Sequence, residues 1–182
     1  EEAFLNAGLR IQTVDLRPGQ EQEDDMCYEG GIREFVSWIN RDKDALHGDV
    51  IYMSGSREDS MAEVAMQYND GYNEMMVSFA NNVHTPEGGM HEEGFKRALT
   101  NGLNAYGRKI KLPKDDEKVS GEDCREGLTV VISVKLTEAQ FECQTKAKLG
   151  NSEMRALVNA IVSEKLETYL EENPAVGRTI LD

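Results

Sequence analysis

Cysteine, positive charge and long apolar runs are all scarce in this sequence. Its three cysteines, Cys27, Cys124 and Cys143, stand far apart. An odd number with no close pair argues against a disulfide framework and for free thiols, so a cytoplasmic location is expected. No apolar run approaches about 18 residues, and no membrane span or membrane partner is expected. The three histidines, His47, His84 and His91, do not fall at a ligand spacing on one helix, and no metal site is assigned. Basic charge is the largest deficit: 20 Lys and Arg face 34 Asp and Glu, a formal net charge of -14. That balance argues against wrapping duplex nucleic acid, whose phosphates need Lys and Arg, but leaves room for a local basic surface. A glycine-rich phosphate loop is missing too. Neither "GSRED" nor "PEGGMHEEG" supplies one, which ranks a self-contained phosphotransfer enzyme low. The start, "EEAFLNAGLRIQTVDLRPG", has no initiator Met and no signal-peptide pattern, and an excised piece of a larger chain is expected. There is no internal repeat or low-complexity tract.

What is present suits one compact domain with a small attached piece. Residues 3–7 read as a last helical turn stopped by Gly8. Residues 9–29 read as a hairpin, with "PGQEQEDD" as its solvated turn. Gly30 and Gly31 then lead into a helix carrying Ile32, Phe35, Val36 and Ile39. The centre holds strand candidates "DVIYMSGS", "AEVAMQYN" and "EMMVSFANNV". "NDGY", residues 69–72, looks like a hairpin turn that makes the last two antiparallel neighbours. Phe95, Ala98, Leu99, Gly102, Leu103 and Tyr106 recur at helical spacing. The run "RKIKLPKDDEKVSGEDCREG" is a polar connection, flexible in its first half, in which Ser120 caps a short turn. "LTVVISVKL" is the strongest strand, apolar enough to be buried on both faces or nearly so. A helix from about Ser152 to Glu171 follows and ends at Asn173-Pro174. The fold class is α/β, an α+β sandwich of about four strands with long helices on one face.

"FECQTKAKLGN" lies between the buried strand and the last long helix. Loops held by such rigid neighbours are common ligand sites. Gln144 offers a neutral amide and Lys146 a compact cation, a pair suited to an oxyanion such as a terminal phosphoryl group. A solvated loop would show the same two residues.

Several blocks together raise the odds: "YEGGI", "VAMQYNDGYNE", "SFANNVHTPEGGMHEEGFKRALT", "GEDCREGLTVVISVK", "FECQTKAKLGNSE" and "EKLETYLEENP". In this order they resemble the transducer domain of type IIA topoisomerase B subunits, the family of gyrase B and topoisomerase IV B, with gyrase favoured. The resemblance implies a fold like domain 2 of ribosomal protein S5, with a left-handed βαβ crossover. Ordinary connectivity would predict the opposite hand. It implies that residues 1–29 are the tail of the preceding ATPase domain, 30–173 the transducer, and 174–182 the start of a linker. It further implies that Gln144 and Lys146 contact the γ-phosphate of ATP. The general-base glutamate, the asparagine that holds Mg2+, the adenine-binding aspartate and the glycine-rich lid are implied to lie before residue 1.

Further expectations follow from the same resemblance. ATP and Mg2+ serve the parent enzyme, and the chain by itself is inactive. The partners are the gyrase A subunit in an A2B2 assembly, a second B subunit on ATP binding, and double-stranded DNA. The parent couples ATP hydrolysis to gate closure, strand passage and negative supercoiling. Two family arginines that line the DNA cavity match Lys96 and Asn101, so one charge is missing. Arg97 is adjacent but about 100° around the helix. Gly30 and Gly31 are a candidate hinge, or simply a tight helix entry. Lys148 is expected to pair with the acidic surface. Asp123 and Arg125 are expected to anchor the strand and loop of residues 128–146. His91 is expected to accept backbone donors or face water. The rival reading is a mechanical module with no ligand contact of its own.

Overall fold

The computed structural model describes residues 1–111 and 118–182; the first half of the polar connection falls mostly outside them. A short helix α1 (Glu2–Leu5) precedes an antiparallel ribbon of β1 (Arg10–Asp15) and β2 (Gln22–Cys27). β2 runs through the acidic stretch that was expected to form the turn. Its side chains are almost all exposed, so the ribbon stands in solvent and charge costs it little. Helix α2 (Ile32–Ile39) follows.

The main sheet contains β3 (Ile51–Arg57), β4 (Ser60–Tyr68), β5 (Met75–Ala80), β6 (Val83–His84) and β7 (Leu128–Lys135). Its order is β3-β4-β7-β5-β6, five strands where about four were expected. The addition is β6, only two residues long. The turn before it, Asn81-Asn82, has both residues at positive φ, as a tight primed hairpin turn requires.

Strand β4 does not pair with β5, which corrects the reading of "NDGY" as their hairpin. β7 lies between them, antiparallel to β4 and parallel to β5. Seven of its eight residues are buried, and a central position gives such a strand two partners. The asparagine and glycine still make a turn: the Gly71 N–H donates to Asn69 Oδ1 at 2.9 Å. That turn docks on Gly127 at the start of β7, where the Asn69 N–H donates to the Gly127 carbonyl.

Helices α3 (Met90–Lys109) and α4 (Ser152–Glu172) cover one face of the sheet. Val130, Ile132 and Val134 of β7 point into that core with Phe95, Leu99, Val158 and Val162. The opposite face is also covered, which corrects the expectation of helices on one face only. There α2 buries Ile32, Phe35 and Val36 against Ala65, Phe79 and Val131. β7 alternates between the two cores, so its apolar run needs both. An aromatic stack joins the N-terminal piece to this second core: Phe4 lies 3.8 Å from Tyr28 and 4.8 Å from Phe35, ring centroid to centroid. Past Asn173, the residues read as a linker form helix α5 (Pro174–Leu181). It packs Gly177 onto the Tyr106 ring so closely that a Cβ there would lie 2.5 Å from it.

Candidate functional site: the loop before α4 and the start of α3

Residues 136–151 leave β7, project, and return to α4 as a narrow two-sided loop. Phe141 bridges Leu149, and the Glu142 N–H donates to the Lys148 carbonyl at 2.9 Å. At its base, Asn151 ties both sides. Its Oδ1 accepts the Gln140 N–H at 2.6 Å, and its Nδ2 donates to the Glu138 carbonyl at 3.0 Å. The tip is a turn closed by the Lys146 N–H on the Cys143 carbonyl at 3.1 Å. Gln144, Thr145 and Lys146 are all exposed there. Lys146 has φ 56, a left-handed conformation that few non-glycine residues adopt. Lys148, by contrast, pairs with Glu142 at 2.9 Å, as expected of it. The Cys143 thiol sits 3.0 Å from the Thr145 hydroxyl, and that hydrogen bond lowers its pKa.

The loop is fastened sideways to the segment that opens α3. The Glu87 N–H donates to the Ala147 carbonyl, the Leu149 N–H to Gly88, and the Met90 N–H to Leu149. Gly89, at φ 137, lies flat against Leu149. Beneath this ladder is a polar cluster. Ser78 Oγ donates to Glu92 Oε1 at 2.7 Å, and Thr85 Oγ1 donates to the Ser78 carbonyl at 2.9 Å. The Thr85 hydroxyl also lies 2.7 Å from the Ser78 hydroxyl and 3.0 Å from His91 Nε2, a hydrogen bond whose donor depends on the ring's tautomer. His91 Nδ1 is left without a partner among the described residues. The ring is completely buried, and burial lowers its pKa to about 4. That corrects the expectation of a histidine that faces water or caps backbone donors. Burial likewise raises the Glu92 pKa, opposed by its bond to Ser78 and the charge of Lys96.

The comparisons with known proteins bear on this geometry. A family model described as DNA gyrase B matches residues 31–182. The chain belongs to the DNA gyrase B family. The DNA gyrase B protein of Clostridium acetobutylicum is 52% identical over the whole chain, which spans 29% of that protein's length. Among solved structures, the 43K ATPase domain of Thermus thermophilus gyrase B, in complex with an aminocoumarin, superposes with a TM-score of 0.87 at 33% identity. It covers 98% of this chain and 48% of that one. The ATP-binding domain of topoisomerase IV from Francisella tularensis, in complex with a small-molecule inhibitor, gives 0.81 at 26% identity, over 98% and 47%.

Within this gyrase B family chain, Gln144 and Lys146 share the loop tip. Lys96 and Arg97 lie on α3, about 9 Å and more along the helix from the Met90 contact with the loop. Lys96 is half-buried and Arg97 exposed. Asn101 lines a cleft of about 270 Å³ between α3 and α4 with Lys109, Glu167 and Glu171, and Lys109 pairs with Glu171. Gly30 and Gly31 form a tight entry to α2: the Gly30 N–H donates to Glu34 Oε1 at 2.8 Å, and Gly31 has φ 61. Arg125, 3.1 Å from Glu74, ties the start of β7 to β5, while Asp123 accepts from the Ser120 hydroxyl at 2.7 Å. Sequence reasoning missed Ser78, Thr85 and Glu92. The cluster is assembled by the β5–β6 hairpin, and no spacing along the chain announces it.

Proposed function

We propose that this chain is the transducer part of a gyrase B subunit, an ATP-dependent type IIA topoisomerase. Residues 1–29 are the tail of the ATPase domain, 30–173 the transducer, and 174–182 the first element leading onward. Gln144 and Lys146 contact the γ-phosphate of ATP. Gly30 and Gly31 are the hinge. Lys96 and Arg97 face captured double-stranded DNA. The parent works with a gyrase A subunit and closes against a second B subunit, passing one DNA segment through another to introduce negative supercoils. The observation that carries this reading is the exposed Lys146 ammonium on a tip whose base is fastened to a rigid scaffold. Support for gyrase over topoisomerase IV comes from the names of the relatives.

The residues present fit a terminal phosphoryl group. A neutral amide and a cation stand two residues apart, and among the described residues Lys146 pairs with no carboxylate. Among those residues no group of three His, Cys, Asp or Glu could hold a metal ion. Mg2+, when bound, neutralises charge on the phosphates; this chain's contribution is the Lys146 ammonium and the Gln144 amide, which bind and orient the γ-phosphate. A contact made only with the third phosphate distinguishes ATP from ADP. The test is Lys146→Ala in the B subunit that carries this chain. ATP turnover should fall about a hundredfold, and closure driven by a nonhydrolysable ATP analogue should be lost, while ADP affinity stays unchanged. Normal turnover and closure would leave a mechanical connector.

A further inference from the structure

Lys146 is one residue from a backbone ladder that ends in the buried polar cluster. The Ala147 carbonyl accepts from Glu87, and Leu149 exchanges hydrogen bonds with Gly88 and Met90. The segment from Thr85 to Met90 is therefore the support on which the loop rests. That segment is pinned to β5 chiefly through Thr85. Its N–H donates to the Ser78 carbonyl at 2.9 Å, its hydroxyl donates to the same carbonyl, and the hydroxyl is hydrogen-bonded to His91 Nε2 at 3.0 Å. Ser78 in turn donates to Glu92 on the first turn of α3. Thr85, Ser78 and His91 are almost wholly buried, so each bond is made away from water and each lost partner is costly. Glycines at 88 and 89 give the support no side chains of its own to hold it. A Cβ at Gly89 would meet Leu149 backbone atoms, so the two strands touch directly.

We propose that Thr85, held by Ser78, His91 and Glu92, is a positioning residue for γ-phosphate recognition, setting the height and direction of Lys146 through the Glu87–Ala147 and Gly88–Leu149 hydrogen bonds. This inference rests on the reading of Lys146 as the γ-phosphate contact. Misplacement of a charged group by a fraction of an ångström is enough to weaken a contact made in the transition state. Thr85, Ser78 and His91 are buried, so Thr85 acts only through the loop it supports.

A double-mutant cycle in the full-length gyrase B protein tests it, with ATP turnover and ADP affinity as readouts. Thr85→Val keeps the shape and deletes the hydroxyl. It should lower kcat about tenfold with ADP affinity unchanged, and Thr85→Ser should restore turnover. In a Lys146→Ala background, Thr85→Val should change turnover less than about twofold, because the group it positions is gone. Wild-type turnover in Thr85→Val overturns the proposal, and so does an undiminished tenfold loss in the Lys146→Ala background. Should Lys146→Ala alone leave turnover intact, the γ-phosphate reading falls and the proposal with it. If circular dichroism finds Thr85→Val unfolded, Ser78→Ala takes its place in the same cycle, with the same outcomes.

Discussion

Gly89 leaves no space for a side chain. A Cβ there would lie 2.3 Å from the Leu149 carbonyl oxygen and 2.5 Å from its nitrogen, both members of the ladder that supports the loop. Its φ of 137 is also closed to other residues. Gly89→Ala should cost at least about 2 kcal/mol, read as a lower urea midpoint at unchanged slope. His91 makes a second residue-scale prediction. Its folded pKa, about 4, lies below the ordinary histidine value of 6.5. The unfolded chain therefore binds the proton first, and stability present above about pH 6.5 is lost as pH falls toward 4. Glu92 has the opposite sign: its raised pKa adds stability as pH falls. It is common to the chain and to a His91→Gln variant, so comparing the two isolates the histidine. Between pH 7 and 4.5 the wild type should lose on the order of 2 kcal/mol more than the variant in urea titrations. Equal losses would mean that the ring takes up its proton in the fold at the same pH as in the unfolded chain.

At the scale of elements, the loop of residues 136–151 is an arm rather than a tether. Asn151 closes its base with two hydrogen bonds and reaches Glu153 at 2.7 Å as well. Asn151→Ala strands the Gln140 N–H and the Glu138 carbonyl, and about 2 kcal/mol of stability should go with them. Amide hydrogen exchange should quicken at Gln140 and Gly150 before it does in the sheet. Loop identity was legible in the sequence, because a buried strand and a long periodic helix bracket it. α3 and α4 were legible for the same reason: Phe95, Leu99 and Leu103, or Leu157, Val158 and Ile161, each repeat on one stripe. Strand order was not. "NDGY" carries the right chemistry for a turn, and Asn69 does make one, but a turn signal is local. Whether β4 meets β5 or β7 depends on which strand most needs two neighbours, and β7 does. The second face of the sheet was missed in the same way. The stripe Ile32, Phe35, Val36 was seen on α2, but its target, Val131 on the far side of β7, is set by alternation in a strand far along the chain. The tip pair Gln144 and Lys146 was visible as residue types; the cluster that holds the tip was not, since Ser78, Thr85 and His91 converge only after β5 and β6 pair.

At the scale of the molecule, a chain with a net charge of -14 is proposed to face DNA. Repulsion over the whole surface and attraction at one helix can coexist, because salt confines each to about 8–10 Å. On α3 the two signs meet: Lys96 stands one turn beyond Glu92, and Asn101, five residues further and about 140° around the helix, lines the cleft with Lys109, Glu167 and Glu171, of which Lys109 pairs with Glu171. A DNA segment resting there meets few cations and many carboxylates nearby. On the proposed reading, such a surface would hold a DNA segment weakly and let it go. Few phosphate contacts also mean a shallow salt dependence, and that can be counted. For the full-length protein carrying this chain, the logarithm of DNA affinity against the logarithm of salt concentration should lose about 0.9 of slope in Lys96→Ala. Arg97→Ala should lose less, because its side chain leaves the helix about 100° away from that of Lys96. Asn101→Arg should add less than Lys96→Ala removes, because position 101 lies about 140° around the helix from Lys96 and Glu167 stands beside it. An unchanged slope in all three variants would put the DNA elsewhere on the protein, and α3 would then be a supporting helix whose cations serve only its own solubility.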